Sequence, residues 1–126
     1  MNNGLIEITK NSDLGYKPLV YFEGWRVAIL NDDPEKFRKE KITFLERHNT
    51  TDEVFVLLDG ECTLLIGGAG AEPSNITYVS MERNQLYNIK KTVWHNLIGS
   101  CGFSVLIVEN ADTSKQNSDF FPVIIA

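Results

Sequence analysis

The chain has two histidines, and each stands where its neighbours could make it part of a chemical site. His48 follows Glu46 by two residues in Glu46-Arg47-His48. Side chains two apart on a strand share a face, so Glu46 and His48 point the same way. Glu53 then opens the apolar run Val54-Phe55-Val56-Leu57-Leu58, which ends at Asp59-Gly60. That dipeptide reads as a hairpin turn. Two strands joined through the polar residues 49–52 would bring Glu46, His48 and Glu53 to one face. His95 lies in a second strand-like run, Val93-Trp94-His95-Asn96-Leu97-Ile98. Imidazole nitrogens mixed with carboxylate oxygens form a donor set that borderline divalent metals such as Mn, Fe, Zn and Ni accept. A carboxylate on a strand face that begins apolar is costly unless it is paired, protonated or bound to a cation, which marks Glu46 as a site residue.

Strands must position these groups. Residues 5–8 read as a short first strand and residues 11–15 as a loop. In residues 21–31, Trp25, Val27 and Ile29 make an apolar face and Arg26, Ala28 and Leu30 a mixed one. Asn31-Asp32-Asp33-Pro34 is a turn that could cap a helix, and residues 35–41 are a charged connector of at most two helical turns. Residues 42–48 alternate, with Ile42, Phe44, Glu46 and His48 on one face; Phe44 and Leu57 read as core. Further short strands follow at 54–58, 62–66, 76–81, 85–90, 92–98 and 103–109. The glycine-rich stretch 67–73 lacks the Lys-Ser/Thr ending of a phosphate loop and reads as a loop tip. The closing segment 120–126 is so apolar that it must pack on the sheet or on a partner subunit. Eight or more short strands with frequent Gly, Asn and Asp turns indicate an all-β sandwich or barrel, one domain over residues 1–126. Barrel closure would turn a set of alternating side chains into a central cavity.

The 126 residues carry a net charge of -5, with basic residues scattered along the chain. This argues against nucleic acid or an anionic membrane as partner. There is no signal-peptide pattern and no run long enough to span a bilayer, so a cytoplasmic protein is expected. Cys62 and Cys101 fit no metal or redox spacing and read as buried reduced thiols. Arg83 could hold a ligand carboxylate; Arg47 should point away from the cavity by alternation. Trp94 reads as core, and Tyr87 as a residue that could line a pocket.

The spacing from Glu46 through His48 and Glu53 to Gly60 resembles the first motif of the cupin superfamily, two histidines, a glutamate and a glycine. Residues 90–96, ending Trp94-His95-Asn96, resemble the second motif, in which a proline and a glycine precede a histidine. His48 matches the second histidine of the first motif, Glu53 its glutamate and His95 the histidine of the second. Glu46 stands in the place of the first histidine, Lys90 in that of the proline, Thr92 in that of the glycine, Glu40 in that of the opening glycine and Gly99 in that of an asparagine.

The resemblance implies an all-β double-stranded β-helix, a jelly roll, with a divalent transition metal held by His48, Glu53 and His95. Glu46 is a fourth ligand, a group that orients a histidine, or a proton acceptor. A small cupin of this kind would bind a small polar ligand such as a hydroxy acid, sugar or keto compound, as an isomerase, lyase or dioxygenase. Two other outcomes stay open: a binding module without catalysis, and a metal-free epimerase-like cupin working by acid–base chemistry. Cupins commonly pair through sheet edges, so a homodimer is expected.

Overall fold

In the computed structural model, which describes residues 4–125, the chain alternates between two five-stranded antiparallel sheets. The strands are β1 (Gly15–Phe22), β2 (Trp25–Asn31), β3 (Phe44–His48), β4 (Glu53–Asp59), β5 (Cys62–Ile66), β6 (Thr77–Ser80), β7 (Tyr87–Ile89), β8 (His95–Gly99), β9 (Ser104–Asn110) and β10 (Ser118–Pro122). One sheet runs β1-β2-β9-β4-β7 and the other β10-β3-β8-β5-β6. Among the described residues only β1–β2 and β5–β6 are consecutive strands that pair; every other connection crosses to the opposite sheet. That winding is the expected double-stranded β-helix.

The crossings correct the hairpin reading of Asp59-Gly60. β4 pairs with β7 and β9, whereas β5 pairs with β6 and β8, so this turn hands the chain from one sheet to the other. Gly60 is needed there: its φ is 73°, and a Cβ would sit 2.8 Å from the Cα of Phe103. The link from β3 to β4 also changes sheets. Glu46 and His48 therefore meet Glu53 across the sandwich rather than along one face.

Between the sheets lie Ala28, Leu30, Phe55, Leu57, Leu64, Leu97, Phe103, Val105 and Ile107, all buried. On β2 the structure buries the mixed face: Ala28 and Leu30 turn inward with Arg26, while Trp25 is exposed. A second cluster, Ile42, Leu45, Leu65 and Trp94, forms on the outer face of the other sheet and is covered by Phe121, Val123 and Ile125. The apolar terminus thus packs on its own sheet, helped by the Val123 N–H donating to the Thr43 carbonyl at 3.0 Å. Trp94 is core, as its sequence context suggests, and its indole N–H donates to the Gly70 carbonyl.

Other expectations are corrected. Residues 5–8 form no strand, and Leu5, Ile6 and Ile8 are exposed. Phe44 is exposed and packs edge-on against Phe120; it shares the face of Glu46 and His48 but stands at the open start of β3. Cys62 is buried, which pushes its thiol up to about 12, but Cys101 lies exposed in the β8–β9 turn. The charged connector holds one 3-10 turn, Lys39–Lys41; ahead of it Phe37 packs on Phe103, and Arg38 forks onto buried Asp32 at 2.8 Å through each nitrogen.

Candidate metal centre

Strand register sets the site. Glu46 on β3 lies directly opposite His95 on β8, so their side chains share the inner face. His48, two residues on, joins them. From the other sheet, Glu53 opens β4 and Glu109 lies near the end of β9. Val54 pairs with Val108 in antiparallel register, which sets Glu53 and Glu109 side by side. Arg26 on β2 is paired with Glu109 on its other flank.

The four residues predicted from sequence do converge. The Glu53 Oε1 atom lies 2.9 Å from His95 Nε2 and 3.1 Å from His48 Nε2. His95 Nδ1 lies 2.9 Å from the Val93 carbonyl, an acceptor, so Nδ1 carries the proton and Nε2 faces the cluster. His48 Nδ1 is 2.8 Å from Ser118 Oγ, a contact set by the β3–β10 pairing of these two residues. Glu46, His48 and His95 each offer a donor atom within 4.8 Å of the others. His48, Glu53 and Glu109 form a second such set, again within 4.8 Å.

Three residues in this cluster were not foreseen. Glu109 is buried, and its Oε1 accepts from Tyr16 OH at 2.8 Å and from Arg26 Nη2 at 2.8 Å. Its Oε2 is buried without a hydrogen-bond partner and lies 4.0 Å from His48 Nε2. The signal was in the sequence: Val105, Ile107 and Glu109 alternate onto one inward face, and an acid in register with two buried aliphatics needs a partner. Two expected contributors are elsewhere. Arg83 is exposed and paired with Asp59, and the Tyr87 hydroxyl accepts from the Glu82 N–H and donates to Gln85, away from the cavity. Arg47 points outward as alternation requires, bonding Asp119 and lying 4.4 Å over the Trp94 ring.

Electrostatics follow from burial and proximity. Burial opposes a charge on Glu53, yet the hydrogen bonds and charges of His48 and His95 hold its carboxyl well below the usual range. Burial likewise disfavours imidazolium at His95, but the Glu53 hydrogen bond and charge outweigh it and lift His95 to about 9. His48 is raised for the same reasons. Burial raises Glu46, against the pull of the two histidines. Burial and then the neighbouring Glu53 charge raise Glu109 to about 7, despite Arg26 and Tyr16.

The donor set fits a transition metal. Nitrogen and oxygen ligands held at about 2.0–2.2 Å from one ion would lie about 3–3.6 Å from their neighbours. The Glu53–His95 and Glu53–His48 separations of 2.9 and 3.1 Å are near that spacing, and Glu109 Oε2 stands 4.0 Å from His48 Nε2. The unpartnered Glu109 oxygen also needs a cation, a proton or a donor. The cluster opens onto a cavity of about 590 Å³ lined by Phe55, Leu97, Ile107 and Phe120 among others. This volume is in the range of small-molecule sites.

No protein-family model and no curated protein matches this sequence. Solved structures do resemble it. A cupin-2 domain containing protein from Shewanella frigidimarina NCIMB 400 aligns with a TM-score of 0.59 at 15% identity, over 80% of this chain and 84% of that one. The WlaRB TDP-quinovose 3,4-ketoisomerase from Campylobacter jejuni aligns with a TM-score of 0.58 at 17% identity, over 74% of this chain and 67% of that one. FeII HppE gives 0.57 at 14% identity, over 75% of this chain and 48% of that one. At these identities the likeness is one of fold.

Proposed function

We propose, from the cupin fold of this chain as premise, that its cavity binds a divalent transition metal and a small polar ligand. His48, Glu53 and His95 would hold the metal, with Glu46 at its edge as a further ligand or a proton acceptor. One observation carries the reading: two imidazoles and a buried carboxylate from both sheets converge at metal-ligand spacing beside an unpartnered carboxylate oxygen. A bound metal would supply Lewis acidity, polarising a carbonyl or hydroxyl of the ligand. The chain's own residues do the rest. Val93 and Ser118 orient the imidazoles, Phe55 and Leu97 give the cavity dry walls, and Glu46, raised by burial, takes or returns a proton.

The ligand class is a hydroxy acid, sugar or keto compound, and the reaction an isomerisation, elimination or dioxygenation. That ketoisomerases and an FeII protein share the fold supports this range. Among the described residues no helix is long and apolar enough to cross a membrane. We take the protein as a cytoplasmic homodimer, in keeping with two free cysteines and with sheet edges open to pairing.

A second reading is favoured by the direct bonds from both imidazoles to Glu53: a metal-free site in which His95 and an acid exchange protons with the ligand. Elemental analysis of protein purified without chelator separates the two. The metal reading predicts about one Mn, Fe, Zn or Ni per chain, lost in the His48→Ala/His95→Ala double variant. Metal-free wild-type protein that nevertheless turns over a ligand would establish the second reading instead.

A further inference from the structure

Glu109 is tightly held within the cavity. It is 6% exposed, and one oxygen takes hydrogen bonds from Tyr16 and from both Nε and Nη2 of Arg26. Its other oxygen is buried, unpartnered and turned toward His48. We propose that Glu109, rather than Glu46, completes the protein ligand set of the metal, leaving the Glu46 carboxylate free to serve the bound ligand. This rests on the metal reading above and assigns the roles within it.

Three features separate the two acids. The first is preorganisation. Carboxylates that ligate metals are themselves held by hydrogen bonds from behind, and Tyr16 with Arg26 does this for Glu109. Glu46 is only partly buried, on the strand flanked by edge strand β10, with Phe120 as its register partner. The second is charge. Glu53 and Glu109 stand side by side on neighbouring strands, an arrangement that repels unless a cation or a proton lies between them. Arg26 sits on the far flank of Glu109, opposite it in register, and pairs with Oε1, which leaves Oε2 turned toward His48. The third is composition. His48, Glu53 and Glu109 are all buried and have donor atoms within 4.8 Å of one another, so the ion they would hold is excluded from water on the protein side. His95 Nε2 lies 2.9 Å from the same Glu53 oxygen that His48 contacts, so it stands beside this set. Glu46 then stands at the open wall, where a ligand arrives.

The test is Co2+ titration of the chelator-treated full-length protein, with affinity from chelator competition and coordination from the visible d–d spectrum. Glu109→Gln is expected to weaken Co2+ binding by about 100-fold and to alter the spectrum, while Glu46→Gln keeps the wild-type band shape. Tyr16→Phe, which leaves Glu109 and Arg26 in place, is expected to weaken binding by about 10-fold. It also decides the matter if Glu109→Gln does not fold. Wild-type affinity and spectrum in folded Glu109→Gln, or a larger loss in Glu46→Gln, overturns the assignment while leaving the metal reading intact. Wild-type protein that takes up no Co2+ overturns both.

Discussion

Thr92 carries a φ of 70°, the left-handed region that a β-branched residue rarely occupies. It stands where the second motif of the cupins has a glycine, and the turn keeps the glycine conformation without the glycine. Its N–H donates to the His48 carbonyl at 2.7 Å, so this strained turn clamps the strand that carries the candidate ligand. The left-handed conformation costs an ordinary L-residue about 1–2 kcal/mol. Glycine would remove that cost but give back about 0.5–1 kcal/mol through the larger freedom of the unfolded chain. The net for Thr92→Gly is a stabilisation of about 0.5–1 kcal/mol. In a chain of 126 residues that raises the Tm by about 2–4 °C. Thermal unfolding of chelator-treated protein, followed by circular dichroism, measures it, with Thr92→Ala as the control that keeps the strain. A Thr92→Gly Tm at or below wild type would refute the strain argument, because the hydrogen bond to His48 survives the substitution.

Three further outcomes are expected. Arg38, by its paired hydrogen bonds, holds buried Asp32 below the usual carboxylate range, with help from the Gly102 N–H and against burial. A depressed native value means that this stability is present above the unfolded value of about 4 and lost as pH falls through the native one. Urea unfolding of Asp32→Asn should therefore show lower stability at neutral pH and a flatter acid limb than wild type; parallel curves would contradict this. A chain ending at Pro122 uncovers Leu45, Leu65 and Trp94 by removing Val123 and Ile125, at a cost of about 2–4 kcal/mol. Denaturant midpoints check the loss, and light scattering of the full chain should give a mass near twice 14.2 kDa. An unchanged midpoint would mean that the terminus does not cover that face.

The candidate site residues were legible from the local spacing of Glu46, His48 and Glu53 and from the two short strands that hold the histidines. Glu46 and His48 share a strand face, Glu53 follows one turn later, and His95 sits in a second short strand. The all-β sandwich or barrel was legible from the number and shortness of the strands, and the jelly roll from the resemblance to the cupins. What escaped is non-local. Tyr16 and Arg26 lie on the consecutive strands β1 and β2, but Glu109 is 83 residues beyond Arg26, and only the β1-β2-β9 order brings the three together. Asp59-Gly60 looked like a hairpin because the dipeptide reports a tight turn and not which sheet the next strand joins. Phe44 looked like core because it is large and apolar, but it stands at the open start of the Glu46 and His48 face; on β2 the apolar face of Trp25 turns outward and the inward one belongs to Arg26, Ala28 and Leu30. Those inward faces mix charge with small aliphatics, since they line a cavity rather than fill it.

Anomalous diffraction from crystals of the full chain grown with Mn2+, collected at energies where manganese scatters anomalously, tests the metal reading most directly. The expected result is one strong peak within about 2.0–2.3 Å of His48 Nε2 and a Glu53 oxygen, inside the cavity. Crystals that show manganese only on surface carboxylates, with His48 and His95 still bonded to Glu53, would contradict it.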